Sequence, residues 1–303
     1  PNLRAFKEWY RKYGSTGIGA WGRYHARSIE GADNAELAGI ACKSEQSATA
    51  AREAYPGIPV YTDYRELLEQ KEVEATDIVV PTHLHAEIAI ASLEAKKHVL
   101  LEKPMALTVE ECDAIIESAG KNERIVSIGH EFRLSEQWTS IKNAIDEGAI
   151  GRPLYCMVSL FRFPYRFGAE NWRYERERVG SWILEEPSHF YDLMMWYLED
   201  AGAQISVAAF GNSKQEAGGL YDNFTSVVRF SKGEYGVVTQ TLGGFQHHQV
   251  VEVCGTGGAI RALWSGIMDR TEEPTYSVLL QRKEYDEPEE LMIGTASGEV
   301  FEQ

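Results

Sequence analysis

The sequence predicts an α/β N-terminal domain with a parallel sheet over residues 1–128, followed by an α+β C-terminal domain with a large, mostly antiparallel sheet over residues 129–303. Two observations lead to this division. Between residues 35 and 150, short apolar runs alternate with helix-period segments, as parallel strands joined by crossover helices require. After Gly151-Arg152-Pro153 the chain changes to longer alternating strands separated by glycine-containing turns.

At the N-terminus, Phe6, Trp9, Tyr10 and Tyr13 fall at the spacing of an amphipathic helix, which leaves only a short strand over 14–18. The apolar runs 36–42, 77–80, 98–101 and 125–128 read as buried strands, and 86–95 and 109–119 as the helices between them. Thr108 and Glu111 have the spacing of a capping box, which fixes where the second of these helices starts. In the second domain, 154–161, 225–230 and 235–242 alternate as strands, and one helix over 187–198 is apolar on most faces and therefore packed. The acidic segment 284–290 reads as a solvated loop.

Composition narrows the function. A formal charge of -16 with no sustained basic run excludes nucleic acid and anionic membrane surfaces as expected partners. Cys42, Cys112, Cys156 and Cys254 form no C-x-x-C pair, so neither a zinc site nor a disulfide framework is expected, and free thiols indicate the cytoplasm. No run approaches a membrane span. A small-molecule ligand fits best. A broad open sheet needs a cover on one face, which points to a homo-oligomer.

Gly17-Ile18-Gly19-Ala20-Trp21-Gly22 matches G-x-G-x-x-G, in which glycines allow a tight turn and a helix N-terminus to approach a pyrophosphate. Gly17, Gly19, Trp21 and Gly22 are therefore assigned to a dinucleotide cofactor. About twenty residues on, where an acidic residue would bind the ribose diol of NAD, stand Lys43 and Ser44. A cation and a hydroxyl suit a 2′-phosphate, so the expectation is NAD(P) with a lean to NADP; the alternative is that Lys43 is an ordinary surface residue.

Three further segments complete a pattern. Ala95-Lys96-Lys97-His98-Val99-Leu100-Leu101-Glu102-Lys103-Pro104-Met105-Ala106 places a lysine at the carboxyl end of a parallel strand, where open α/β sheets bind ligands. Val79-Val80-Pro81-Thr82-His83-Leu84-His85 lies at the end of the preceding strand, and Gly180-Ser181-Trp182-Ile183-Leu184-Glu185-Glu186-Pro187-Ser188-His189 leads into the second-domain helix. With the glycine loop, these segments resemble the Gfo/Idh/MocA family of nicotinamide-dependent oxidoreductases, over residues 17–260.

The resemblance implies a Rossmann-like first domain and, as substrate, a sugar, cyclitol or glycoside whose secondary hydroxyl is oxidised. It implies that Pro81, Thr82, His83, His85, Glu102 and Lys103 line the cofactor, and that Lys103 and His189 handle the substrate proton. Glu185 stands where the family pattern has Asp, four residues before the histidine, and is assigned to orient His189 or a neighbouring hydroxyl. Arg133, Trp172, Arg173 and Tyr191 are assigned to the substrate. His83 and His85 invite a metal, but no third ligand has recognisable spacing, so none is expected. Two other readings stay open: an NAD-dependent glycoside-cleaving enzyme that oxidises its substrate transiently, and a non-catalytic cofactor-binding sensor.

Overall fold

In the computed structural model the described residues are 11–214, 220–244, 246–266 and 274–291. They divide into two compact units: one runs to Gly129 and includes Glu177–Val179, and the other comprises His130–Arg176 and the chain from Gly180 onward. Among the described residues no helix is long and apolar enough to cross a membrane.

The first unit is β1 (Arg11–Thr16), α1 (Ala20–Gly31), β2 (Ala35–Ala41), α2 (Glu45–Ala54), β3 (Val60–Tyr61), α3 (Tyr64–Leu68), β4 (Ala75–Ile78), α4 (His85–Glu94), β5 (His98–Leu101), α5 (Val109–Asn122) and β6 (Val126–Ile128). Its strands pair in parallel in the order β3-β2-β1-β4-β5-β6, the doubly wound order of dinucleotide-binding folds. The strand order reverses between β1 and β4, which is where such sheets open a ligand crevice. Thr108 and Glu111 form the capping box that starts α5.

The beginning of the chain corrects the helical reading of Tyr13. Arg11–Thr16 is a strand, and it ends before Ile18; Phe6, Trp9 and Tyr10 lie outside the described residues. The strand lacks an apolar run because small residues at Gly14, Ser15 and Thr16 make room for neighbouring side chains. Parallel neighbours hold its backbone on both sides, and Leu67 lies so close over Gly14 that a Cβ there would stand 3.0 Å from it. Apolar volume at this position comes from a neighbouring helix rather than from the strand itself.

The second unit contains α6 (Glu136–Asp146), β7 (Pro153–Phe161), the short helices α7 (Arg176–Val179, mostly in the first unit) and α8 (Trp182–Glu185), then α9 (Pro187–Tyr197), β8 (Gln204–Asn212), β9 (Asn223–Phe230), β10 (Tyr235–Thr241), β11 (His247–Gly255), β12 (Gly258–Gly266), β13 (Thr275–Arg282) and β14 (Glu289–Glu290). The sheet order is β14-β13-β12-β11-β7-β10-β9-β8, antiparallel except for the β7–β10 pair. Phe190, Leu193, Met194 and Tyr197 of α9 are buried against the sheet, each side chain contributing about 1.5–3 kcal/mol of hydrophobic stabilisation. The acidic segment is not entirely loop, because Glu289 and Glu290 pair with β13 while Glu289 also meets Arg282.

Candidate active site

In the first unit the carboxyl ends of the adjacent strands β1, β4 and β5 lead into the three segments singled out above. After β1, Gly17 adopts φ +94°, and a Cβ there would stand 2.2 Å from the Val79 carbonyl oxygen. A Cβ on Gly22 would stand 2.0 Å from the Gly17 carbonyl oxygen, so the turn closes only with glycine at both positions. Gly19 differs: it is the N-cap of α1, no side chain caps it, and nothing lies within 4 Å of where its Cβ would be. The first turn of α1 carries no carboxylate. Space beside the backbone, together with the positive end of a twelve-residue helix, suits the pyrophosphate of a dinucleotide.

At the end of β2, Lys43 is exposed and Ser44 caps α2, its hydroxyl accepting from the Ser47 amide at 3.2 Å. At the end of β4, Pro81 leads into a turn at Thr82–Leu84 in which Thr82 is buried and His83 half-buried. His85 opens α4 and is buried, with Nδ1 2.7 Å from the Pro104 carbonyl oxygen and Nε2 2.9 Å from that of Val80. Its ring thus ties the exit of β4 to the segment that carries Lys103.

Lys103 follows β5 and is half-buried, and its peptide bond to Pro104 is cis. Glu102 before it is buried, with Oε1 3.2 Å from His25 Nε2. His25 Nδ1 is 2.8 Å from Asp77 Oδ1, and Ser15 donates to the other Asp77 oxygen at 3.2 Å. Burial opposes charge on the His25 ring, but the Asp77 carboxylate, with Glu102 beside it, outweighs burial and raises its pKa to about 10. Burial likewise opposes ionisation of Glu102, yet His25 and Lys103 hold its pKa below the ordinary carboxylate value.

In the second unit His189 lies in the first turn of α9, buried, stacked on Phe132 with ring centroids 4.7 Å apart, and with the His130 ring edge-on at 5.6 Å. Glu131, which was not among the assigned site residues, places Oε1 3.2 Å from His189 Nε2. Glu185 ends α8 and is buried in an ion pair with Arg173, whose guanidinium lies 4.7 Å from the Trp172 ring. Trp172 is itself buried.

The other assigned substrate residues have definite partners within the same unit. Arg133 makes a two-pronged contact with Asp192 at 2.6 and 2.8 Å and lies over Trp196. The Tyr191 hydroxyl meets Ser226 Oγ of β9 at 2.6 Å. A further cluster, outside the site residues assigned from sequence, joins buried Arg162 to half-buried Glu186, with the buried His247 placing Nε2 3.4 Å from the same carboxylate and the half-buried His248 stacked on Phe161.

Models of known families match both halves of the chain. The model described as an oxidoreductase family with an NAD-binding Rossmann fold matches residues 11–130, and the Gfo/Idh/MocA C-terminal domain matches residues 138–261. The chain belongs to the Gfo/Idh/MocA oxidoreductase family. It is 30% identical to an inositol 2-dehydrogenase of Salmonella typhimurium over 278 residues, which is 90% of this chain and 76% of that one. It is 28% identical to a myo-inositol 2-dehydrogenase of Thermotoga maritima over 254 residues, 83% of this chain and 75% of the relative. Among solved structures, a probable dehydrogenase from Thermotoga maritima superposes with a TM-score of 0.76 at 27% identity, covering 88% of this chain and 78% of that one.

The family pattern led to Lys103, His189, Glu185 and its partner Arg173, but not to Glu131 beside His189 or to His25 and Asp77 beside Glu102. Glu131 and His189 are 58 positions apart, and His25 and Asp77 are 52 apart. No short motif joins either pair. The one available signal was an aspartate inside the apolar run 77–80, a placement that calls for a buried partner.

Proposed function

We propose that this protein transfers a hydride between a nicotinamide dinucleotide and a secondary hydroxyl of a sugar, cyclitol or glycoside, with Lys103 and His189 exchanging the hydroxyl proton. The observation that carries this reading is the position of Lys103 at the carboxyl end of β5, two strands from β1 and the loop that only glycine can close. Inositol dehydrogenases among the relatives support a polyhydroxylated substrate.

When bound, the nicotinamide supplies the hydride acceptor. The rest is the work of side chains. Gly17, Gly19, Trp21 and Gly22 with the start of α1 hold the pyrophosphate, and Pro81, Thr82, His83, His85 and Glu102 shape the wall beside it. As the substrate C–H bond breaks, its hydroxyl must give up a proton, and Lys103 Nζ and the His189 imidazole are the two groups assigned to take it. Glu131 fixes the orientation of the His189 ring. Glu185 holds Arg173 over Trp172, so its role is to fix the residues that bind substrate hydroxyls, along with Arg133 and Tyr191.

For the finer choices we favour NADP, because Lys43 is exposed where a 2′-phosphate would lie and no acidic residue stands in its place. Residues 129–303 serve as the substrate-binding and oligomerisation domain, in a cytoplasmic homo-oligomer. Calorimetric titration with NAD, NADH, NADP and NADPH, followed by oxidation assays over a panel of inositols and sugars, tests the reading. Tight binding of one redox pair and stoichiometric accumulation of reduced cofactor are expected. Product formation without net reduced cofactor would favour transient oxidation instead, and binding without turnover would favour a sensor.

A further inference from the structure

We propose that His25 is a positioning residue for Lys103: its ring bridges Asp77 and Glu102, and by engaging the Glu102 carboxylate it keeps that group off the Lys103 amine. The proposal rests on the reading of Lys103 as a proton handler.

The bridge is built from four elements of the first unit. His25 comes from α1, Asp77 from β4, Ser15 from β1 and Glu102 from the exit of β5. Asp77 is fully buried and Glu102 nearly so, and an isolated carboxylate in either place carries a heavy desolvation cost. One imidazolium between them neutralises half of that charge while its two nitrogens donate to one oxygen of each carboxylate. The backbone on either side is tied as well. The Glu102 amide donates to Ile78 at 3.0 Å, and the Pro104 carbonyl receives His85 at 2.7 Å, so Lys103 sits between two anchored neighbours. Gly129 leaves the space Glu102 needs, since a Cβ there would stand 2.8 Å from Glu102 Oε1.

The other charged groups acting here are few. Lys103 is the second cation that acts on Glu102, the Trp21 indole also favours its ionised form, and Tyr13 lies in the field of Asp77. Without the imidazolium, Glu102 has two recourses: to take up a proton, or to turn to Lys103. A proton on Glu102 leaves the lysine where it is, whereas the ionised carboxylate draws the lysine from its place without touching the pyrophosphate loop. Because a displacement of about 1 Å at a reacting group costs on the order of 100-fold in rate, the effect falls on kcat.

The test compares His25→Ala, the double variant His25→Ala/Glu102→Gln, and Lys103→Ala. His25→Ala is expected to lower kcat by about 10- to 100-fold, with KM for the sugar and the calorimetric Kd for the cofactor changed by less than about 3-fold, which is under 0.7 kcal/mol by the conversion of about 1.4 kcal/mol per tenfold. Its kcat deficit relative to wild type should narrow as pH falls, because Glu102 then takes up a proton and no longer competes for Lys103. The double variant should recover at least about 5-fold of the lost kcat, an effect of roughly 1 kcal/mol by the same conversion, since a neutral amide no longer competes for Lys103. Failure of Glu102→Gln to rescue His25→Ala, or near-normal kcat in His25→Ala while Lys103→Ala is inactive, would overturn the proposal. Near-normal turnover in Lys103→Ala would instead remove the reading it rests on. Should His25→Ala not fold, the His25 ring signals of the wild-type protein decide by NMR: an imidazolium persisting well above neutral pH is expected, and titration in the ordinary histidine range would overturn the bridge.

Discussion

Glu131 Oε1 lies 3.2 Å from His189 Nε2, with the imidazole stacked on the neighbouring Phe132. A histidine held by a carboxylate on one nitrogen and by a ring on its face has little freedom to turn, which is what a proton acceptor needs. Replacing Glu131 by Gln keeps the size and removes the charge. In steady-state assays kcat should drop by about 10-fold or more, with cofactor affinity unchanged.

The Glu185–Arg173 pair gives a prediction about stability. Glu185 is 6% exposed but the Arg173 side chain is 29% exposed, so Glu185→Gln removes the buried charge and leaves a partly solvated guanidinium, at a cost of about 1–3 kcal/mol. Urea unfolding should show a loss of that order. Glu185→Asp, which keeps the charge but shortens the reach, should lose less.

The His25 bridge makes stability depend on pH on the alkaline side. The ring titrates at about 10 in the fold against 6.5 as its ordinary value, so its contribution is complete below about 6.5 and is lost as pH rises through about 10. Within that window the unfolding free energy of the wild type should fall by up to about 1.4 kcal/mol per pH unit. In His25→Asn the same stretch should be nearly flat, measured by urea denaturation at a series of pH values.

Cofactor choice should turn on Lys43. A charge-assisted contact to a phosphate is worth roughly 1.5–3 kcal/mol, so Lys43→Ala should weaken NADP binding by about 10-fold or more and leave NAD binding nearly unchanged. Calorimetry with both cofactors checks it. No loss for either would assign Lys43 to the surface, and equal loss for both would place it on a part of the cofactor that the two share.

The fold was legible wherever residues carry their own pattern. The run 98–101 and the Thr108–Glu111 capping box stand in the structure as the sequence implies, because alternation, apolar runs and caps are local properties. The first strand was hidden for the opposite reason: Gly14, Ser15 and Thr16 are small so that Leu67 and Asp77 can approach them, and those neighbours lie more than fifty residues away. The site divides along the same line. Lys103 and His189 stand in segments that resemble the family's, whereas the pairings of Glu131 with His189, Asp77 with His25 and Arg162 with Glu186 are contacts that only the folded chain creates.

The most direct measurement follows the hydrogen itself. With a cyclitol or sugar from the panel that the protein oxidises, deuterated at its ring carbons, and a stoichiometric amount of oxidised cofactor, the account predicts one deuterium at C4 of the reduced nicotinamide for each ketone formed, read by proton NMR, with the transfer abolished in Lys103→Ala. A sugar or cyclitol panel in which substrate is converted while deuterium never reaches the released cofactor would contradict it.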